Sequence, residues 1–206
     1  MLYKRFFFLL IPLLLTLTAC SKPDKAVSKS VSAEVKLTAS QTAAALAPIE
    51  LAGINLRTAK KQELEEAFLK THNMRFIPRN NWESVADSAG NAIQGADKLE
   101  LATTKGGAFV FLQFIFHDGA NAGQRVKVQQ QLEAKYGKPA GVDGRADRGE
   151  YRAVWDMGGD FLIQLSSGGS EKAAFLIFVA RENLLQMKSE YQEMVNLRAK
   201  QKTAGQ

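Results

Sequence analysis

The chain is poor in the residues from which most catalytic sites are built. Of its 206 residues one is cysteine and two are histidine. A single cysteine, Cys20, excludes an intrachain disulfide, so any fold rests on its hydrophobic core alone. The histidines, His72 and His117, stand apart. Without an H-x-x-x-H or C-x-x-C spacing or an aspartate-rich calcium loop, metal ligation has no ligand set. No G-x-S-x-G elbow presents a nucleophilic serine, and no G-x-x-x-x-G-K-[ST] loop is available to cradle a phosphate. The expectation is therefore a chain with no metal and no cofactor. Long apolar runs are scarce as well. Phe6 to Ala19 is interrupted only by Pro12, Thr16 and Thr18, but its 14 residues fall short of the roughly 18–20 that a membrane-crossing helix needs.

What is present at the N-terminus has a pattern of its own. Lys4 and Arg5 precede the apolar run, which closes on Leu17-Thr18-Ala19-Cys20. A short apolar segment behind two cations reads as an export signal over residues 1–19 and not as a span. The four closing residues resemble the lipobox of bacterial lipoproteins, and the resemblance covers the first 20 residues. It implies that the Cys20 thiol receives a diacylglyceryl group, that the peptide is cut before Cys20, and that the new N-terminus is acylated, palmitate being one such chain. Two or three acyl chains suffice for stable anchoring, at roughly 0.8 kcal/mol per buried CH₂. Within the same resemblance, Ser21 in place of an aspartate points to the outer membrane, facing the periplasm, in a Gram-negative cell.

Loss of residues 1–19 removes Lys4 and Arg5 and no acid, which lowers the formal charge from +6 to +4. That is an ordinary value for a soluble domain. Anionic partners such as lipid headgroups stay open, while nucleic acid is disfavoured by the compartment. Residues 20–46 carry the modified cysteine and then mostly Ser, Ala, Lys, Thr and Val, with no aromatic residue. They read as a flexible tether whose root-mean-square span is on the order of 28 Å.

Residues 47–206 suit one α+β domain, an antiparallel sheet of hairpins and meanders with helices packed on it. Thr58 is placed to cap a helix with Leu64, Ala67 and Phe68 on its apolar face. Residues 73–97 are the least legible: a strand near Arg75–Ile77, with Asn80-Asn81 and Gly95 marking turns. Lys98–Ala102 alternates. Ala108–Phe116 is apolar on both faces, with Phe109, Phe111 and Ile115 to one side, and so reads as a central strand. From Asn121 a second helix presents Val128, Leu132 and Tyr136, and Gly137 with Pro139 stops it. Tyr151–Met157 alternates, Gly158-Gly159 signals a two-residue hairpin, and Phe161, Ile163 and Leu165 share one face of the return strand. Ser167–Ser170 turns into Ala173–Val179. A last helix runs from about Arg181 to Lys200, with a fraying basic tail over Arg198–Lys202. The order of helix, strands, helix, strands and closing helix allows two similar halves. The first part of that order, behind a lipobox, is loosely similar to the small lipoprotein of the outer-membrane β-barrel assembly machinery.

Candidate chemistry is thin. His117-Asp118 closes the most apolar strand, where it could serve a hydrolase-like site or simply bind the neighbouring loop. His72 ends the first helix, where an imidazolium suits the dipole. Asp143, Asp147 and Glu150 interleave with Arg145, Arg148 and Arg152 as a solvated loop. Glu65, Glu66, Asp156 and Asp160 have no spacing that marks a catalytic pair. On the last helix Leu184, Met187, Tyr191 and Met194, widened by Leu185 and Val195, form a stripe for its own sheet or for a partner. The leading expectation is a non-enzymatic envelope lipoprotein that acts as a binding or assembly module for another envelope component, a protein being the expected partner. A periplasmic enzyme using His117 and Asp118, and a carrier of a small apolar ligand held between sheet and last helix, are the alternatives.

Overall fold

The computed structural model describes residues 48–87, 89–117, 122–144, 150–158, 160–168 and 173–204. The expected signal peptide, Cys20 and the expected tether lie outside the described residues. The described chain is α+β: a small hairpin and an eight-stranded antiparallel sheet, with helices against it. The hairpin is β1 (Glu50–Leu51) and β2 (Ile54–Asn55). Helix α1 (Lys61–His72) precedes β3 (Ile77–Pro78), β4 (Glu83–Asp87), β5 (Lys98–Thr103) and β6 (Phe109–Phe116). Helix α2 (Ala122–Tyr136) precedes β7 (Gly141–Asp143), β8 (Tyr151–Asp156), β9 (Phe161–Ser167) and β10 (Ala174–Ala180), and α3 (Arg181–Ala204) closes the chain.

The strand order is β3-β4-β5-β6-β10-β9-β8-β7. Each half is thus a helix followed by a four-stranded meander, and the halves meet along their last strands, β6 and β10. These run antiparallel from Phe116 opposite Ala174 to Phe111 opposite Val179. That pairing relates the halves by an approximate two-fold axis through the middle of the sheet. Every residue of β6 is buried, as a central strand apolar on both faces requires.

One face of the sheet, here the inner face, carries Leu99, Leu112, Phe114, Leu176, Ile163 and Trp155. It packs in one cluster with Leu64 and Phe68 of α1 and Val128 and Leu132 of α2. Phe109 belongs to this face, contrary to the simple alternation expected from sequence. Ala102 pairs with Phe111 but Thr103 pairs with Phe109, so Val110 is an extra residue in β6. Such a bulge turns the next side chain over, and the Phe109 ring stacks on Phe161 at 5.9 Å.

Further departures have local causes. Thr58 does not cap α1: its N–H donates to Asn55 O, while a β-bridge between Lys60 and Ala108 keeps the chain extended to Lys60. Lys60 is the cap residue, and its N–H donates to Glu63 Oε2 at 3.0 Å. β5 is buried along its length from Leu99 and does not alternate, because it has a neighbouring strand on both sides and cover on both faces. The strand near Arg75–Ile77 is reduced to Ile77–Pro78, and β4 was not foreseen. The turns fall at Asn80 and Gly95: Asn80 Oδ1 accepts from the N–H groups of Trp82 and Glu83, and Gly95 has φ +85. Helix α2 stops where expected, with Gly137 at φ +80. The β8–β9 turn is longer than two residues, because the Met157 N–H donates to Phe161 O and Asp160 falls inside the loop. Helix α3 runs through Arg198–Lys202 to Ala204, and its 24 residues span about 36 Å. None of the described helices is long and apolar enough to cross a membrane.

Candidate functional site

The second face of the sheet, here the outer face, is only partly covered. Strand register places Glu100, Gln113, Ile177, Gln164 and Val154 in one row across β5, β6, β10, β9 and β8. Beside it runs a row of Ala102, Phe111, Val179 and Leu162. Helix α3 leaves the end of β10 and packs on β6 and β10. Its Leu184 and Met187 are buried there, as are Phe111 and Val179, in a group separate from the inner core. Away from this contact Val154, Leu162, Phe175 and Ile177 are half-buried. The result is a patch of apolar side chains on strands that cannot shift without breaking the ladder.

Polar groups interrupt the patch. Glu100 is 7% exposed and accepts from Arg79 Nη1 at 3.0 Å. Burial pushes its carboxyl above the usual range, with the Arg79 charge and hydrogen bond acting the other way. Gln113 is also buried. Gln164, 6% exposed, donates from Nε2 to Ser166 Oγ at 3.4 Å, but its Oε1 is buried with no partner. Turning the amide over exchanges an orphan acceptor for an orphan donor. A buried amide atom left so costs about 1–3 kcal/mol until a partner supplies the missing bond. Nothing in the sequence marked Gln164 as special except that it is a lone amide inside an apolar strand, and the same holds for Gln113.

Helix α3 is fixed over its first half. Asn183 Nδ2 donates to Phe109 O at 2.7 Å. Glu190 accepts from Trp82 Nε1 at 3.1 Å, from the Lys105 N–H at 2.7 Å and from Gln186 Nε2 at 3.0 Å. Burial disfavours the Glu190 carboxylate, yet these hydrogen bonds hold its pKa below the ordinary value. Trp82 and Tyr191 meet edge to face at 6.2 Å. The stripe expected on this helix is narrower than the sequence indicated. Leu184 and Met187 are buried and Tyr191 and Met194 half-buried, whereas Leu185 and Val195 face solvent at 59% and 37% exposure.

The other sequence candidates are dispersed. His117 is exposed at the end of β6; its N–H donates to Asp97 Oδ2 at 2.6 Å and its Nδ1 lies 3.4 Å from the same oxygen. Asp118 lies outside the described residues. His72 does end α1, its ring 5.6 Å from that of Phe68. Asp143 pairs with Arg152, while Arg145, Asp147 and Arg148 lie outside the described residues. Glu65 accepts from Ser84 Oγ and Glu66 from Gln62. Asp156 pairs with Arg181 at 3.1 Å and Asp160 with Arg57. Among the described residues no group of three or more metal-ligating side chains converges.

No family model matches the chain, and no curated protein matches it. Among solved structures it is similar to the crystal structure of a DUF4309 family protein (YjgB) from Bacillus subtilis subsp. subtilis str. 168. The identity is 12% and the TM-score 0.34, over 68% of this chain and 92% of that one. This likeness is too slight to inform fold or function.

Proposed function

We propose that the chain is a lipid-anchored envelope lipoprotein, held by Cys20 in the outer membrane and facing the periplasm. In this reading its α+β domain is a non-enzymatic module that binds another envelope protein through the open part of the outer sheet face. One observation carries the binding role: Gln164, buried with an unpaired Oε1 among the half-buried Val154, Leu162 and Ile177. A surface that is apolar, rigid and short of one hydrogen bond gains most when a complementary surface covers it. The lipobox Leu17-Thr18-Ala19-Cys20 supports the location.

A photo-crosslinking amino acid at Ile177 should capture one partner stoichiometrically in cells at native abundance. The same group at the exposed Val126 of α2 serves as the control. Equal capture at both positions, or none at Ile177, removes the binding reading. The anchor is tested separately, by the mass of the N-terminal peptide, which should carry acyl chains on Cys20.

A further inference from the structure

The two-fold axis that relates the halves lies at the pair central to both seam strands, Gln113 opposite Ile177. About it the register repeats. Gln113 meets Glu100 and then Val85, while Ile177 meets Gln164 and then Val154. The rotation therefore carries Phe111 onto Phe175, Val179 onto Ile115 and Ala102 onto Ser166. All six side chains face outward, and the rotation preserves their kind: a phenylalanine, a β-branched aliphatic and a small residue. The outer face thus carries the same small surface twice.

One of the two is covered. Helix α3 seats Leu184 and Met187 on β6 and β10 and runs on toward β4, where Glu190 accepts from Trp82 Nε1 and the Lys105 N–H. Ala102, Phe111 and Val179 are accordingly 0%, 2% and 4% exposed. Helices α1 and α2 pack in the inner cluster, so of the described helices α3 alone lies on the outer face. At the rotated positions Ile115 is buried on its central strand, but Phe175 and Ser166 are half-buried, as is Ile177 beside them. The same residue kinds are closed over in the first half and open in the second.

We infer that the open surface around Phe175 receives an amphipathic helix of the partner, with a leucine and methionine stripe like that of α3. The inference deepens the proposed binding role and rests on it. The first half supplies the template: a helix laid across antiparallel strands, anchored by Leu184 and Met187 and continued by the half-buried Tyr191, at i, i+3 and i+7. Helices docked on a foreign surface are read by the same spacing. A second copy of this chain is a poor source of that helix. Its α3 begins at Arg181 directly after β10 ends at Ala180, with no linker to let it swing away. It is also held at home by Asn183, which donates to Phe109 O at 2.7 Å. The helix therefore comes from a different protein.

The test adds a synthetic peptide with the sequence of residues 181–197, which carries the α3 stripe, to the full mature chain with Cys20→Ser. With a benzophenone side chain in place of Phe175 the protein should label the peptide saturably on illumination, and with the same group at Val126 it should not. In fluorescence polarisation Phe175→Ala should weaken peptide binding by at least about tenfold. Val126→Asp, at an exposed position of α2, should leave it within about twofold. Circular dichroism establishes that both variants are folded. Leu184→Asp in the peptide leaves the protein untouched and should also weaken binding by at least about tenfold. No saturable binding, or binding indifferent to Phe175 and to the peptide's leucine, overturns the inference. Either result, together with capture at Ile177 in cells, overturns the helical occupant alone. Absence of that capture removes the binding role itself.

Discussion

Gln164 and Glu100 show how a polar side chain on a sheet face is governed by what lies above it. The Gln164 amide makes one bond, to Ser166, and keeps Oε1 unpaired at 6% exposure. A leucine there has similar length and nothing to satisfy. Gln164→Leu is therefore expected to raise stability by about 1 kcal/mol in urea unfolding while weakening cross-linking from Ile177. A loss of stability instead would mean that the amide is satisfied in solution. Glu100 makes a different prediction. Because burial raises its folded pKa above the ordinary 4.5, there is a range of pH between the two values in which the folded state holds a proton that the unfolded chain has released. Its contribution to stability is greatest below the ordinary carboxylate range and falls as pH rises through the raised value. Glu100→Gln removes that titration. The difference in urea midpoint between variant and wild type should thus move in the variant's favour as pH increases, and a pH-independent difference would contradict the burial.

At the scale of elements, α3 is held by a few specific bonds. Trp82→Phe deletes the donor to Glu190 while keeping an aromatic ring against Tyr191, and should cost about 1 kcal/mol in thermal unfolding. Leu185→Ser, at a position 59% exposed, should stay within about 0.5 kcal/mol. The helix itself was legible in the sequence, as were α2 with its Gly137 stop and the doubly apolar β6, because each is long or ends in residues with a strong backbone preference. The two-residue strands β1 and β2 and the polar β4 are not, and β3 is legible only in part, since pairing with neighbours decides them and no run of side chains announces it. The bulge at Val110 is invisible to alternation, and so Phe109 was assigned to the wrong face. The outer patch was illegible for the same reason. Whether Gln113, Gln164 and Glu100 end up buried depends on strands far away in the chain.

For the whole molecule, the arrangement of two similar halves raises the question of whether they unfold together. The halves share β6 and β10, and the inner core runs without a break from α1 to α2 across Phe114 and Leu176, which face each other at the seam. Separating the halves would expose the edge of β6, an eight-residue strand buried on both faces, to solvent and to other chains. The domain should accordingly unfold in one step despite its internal repetition. Its two tryptophans make this testable, because Trp82 lies in the first half and Trp155, 2% exposed with Nε1 bonded to Gly137 O, in the second. In the Trp82→Phe variant fluorescence reports only the second half, and in Trp155→Phe only the first. Within each variant the urea midpoint by fluorescence should coincide with that by far-ultraviolet circular dichroism. Adding Phe114→Ala should cost about 3–5 kcal/mol and move both probes equally, since the cavity opens in a core that both halves own. If Phe114→Ala shifts the Trp82 signal and leaves that of Trp155 in place, the seam is an interface between two separately stable units, and cooperativity stops at β6.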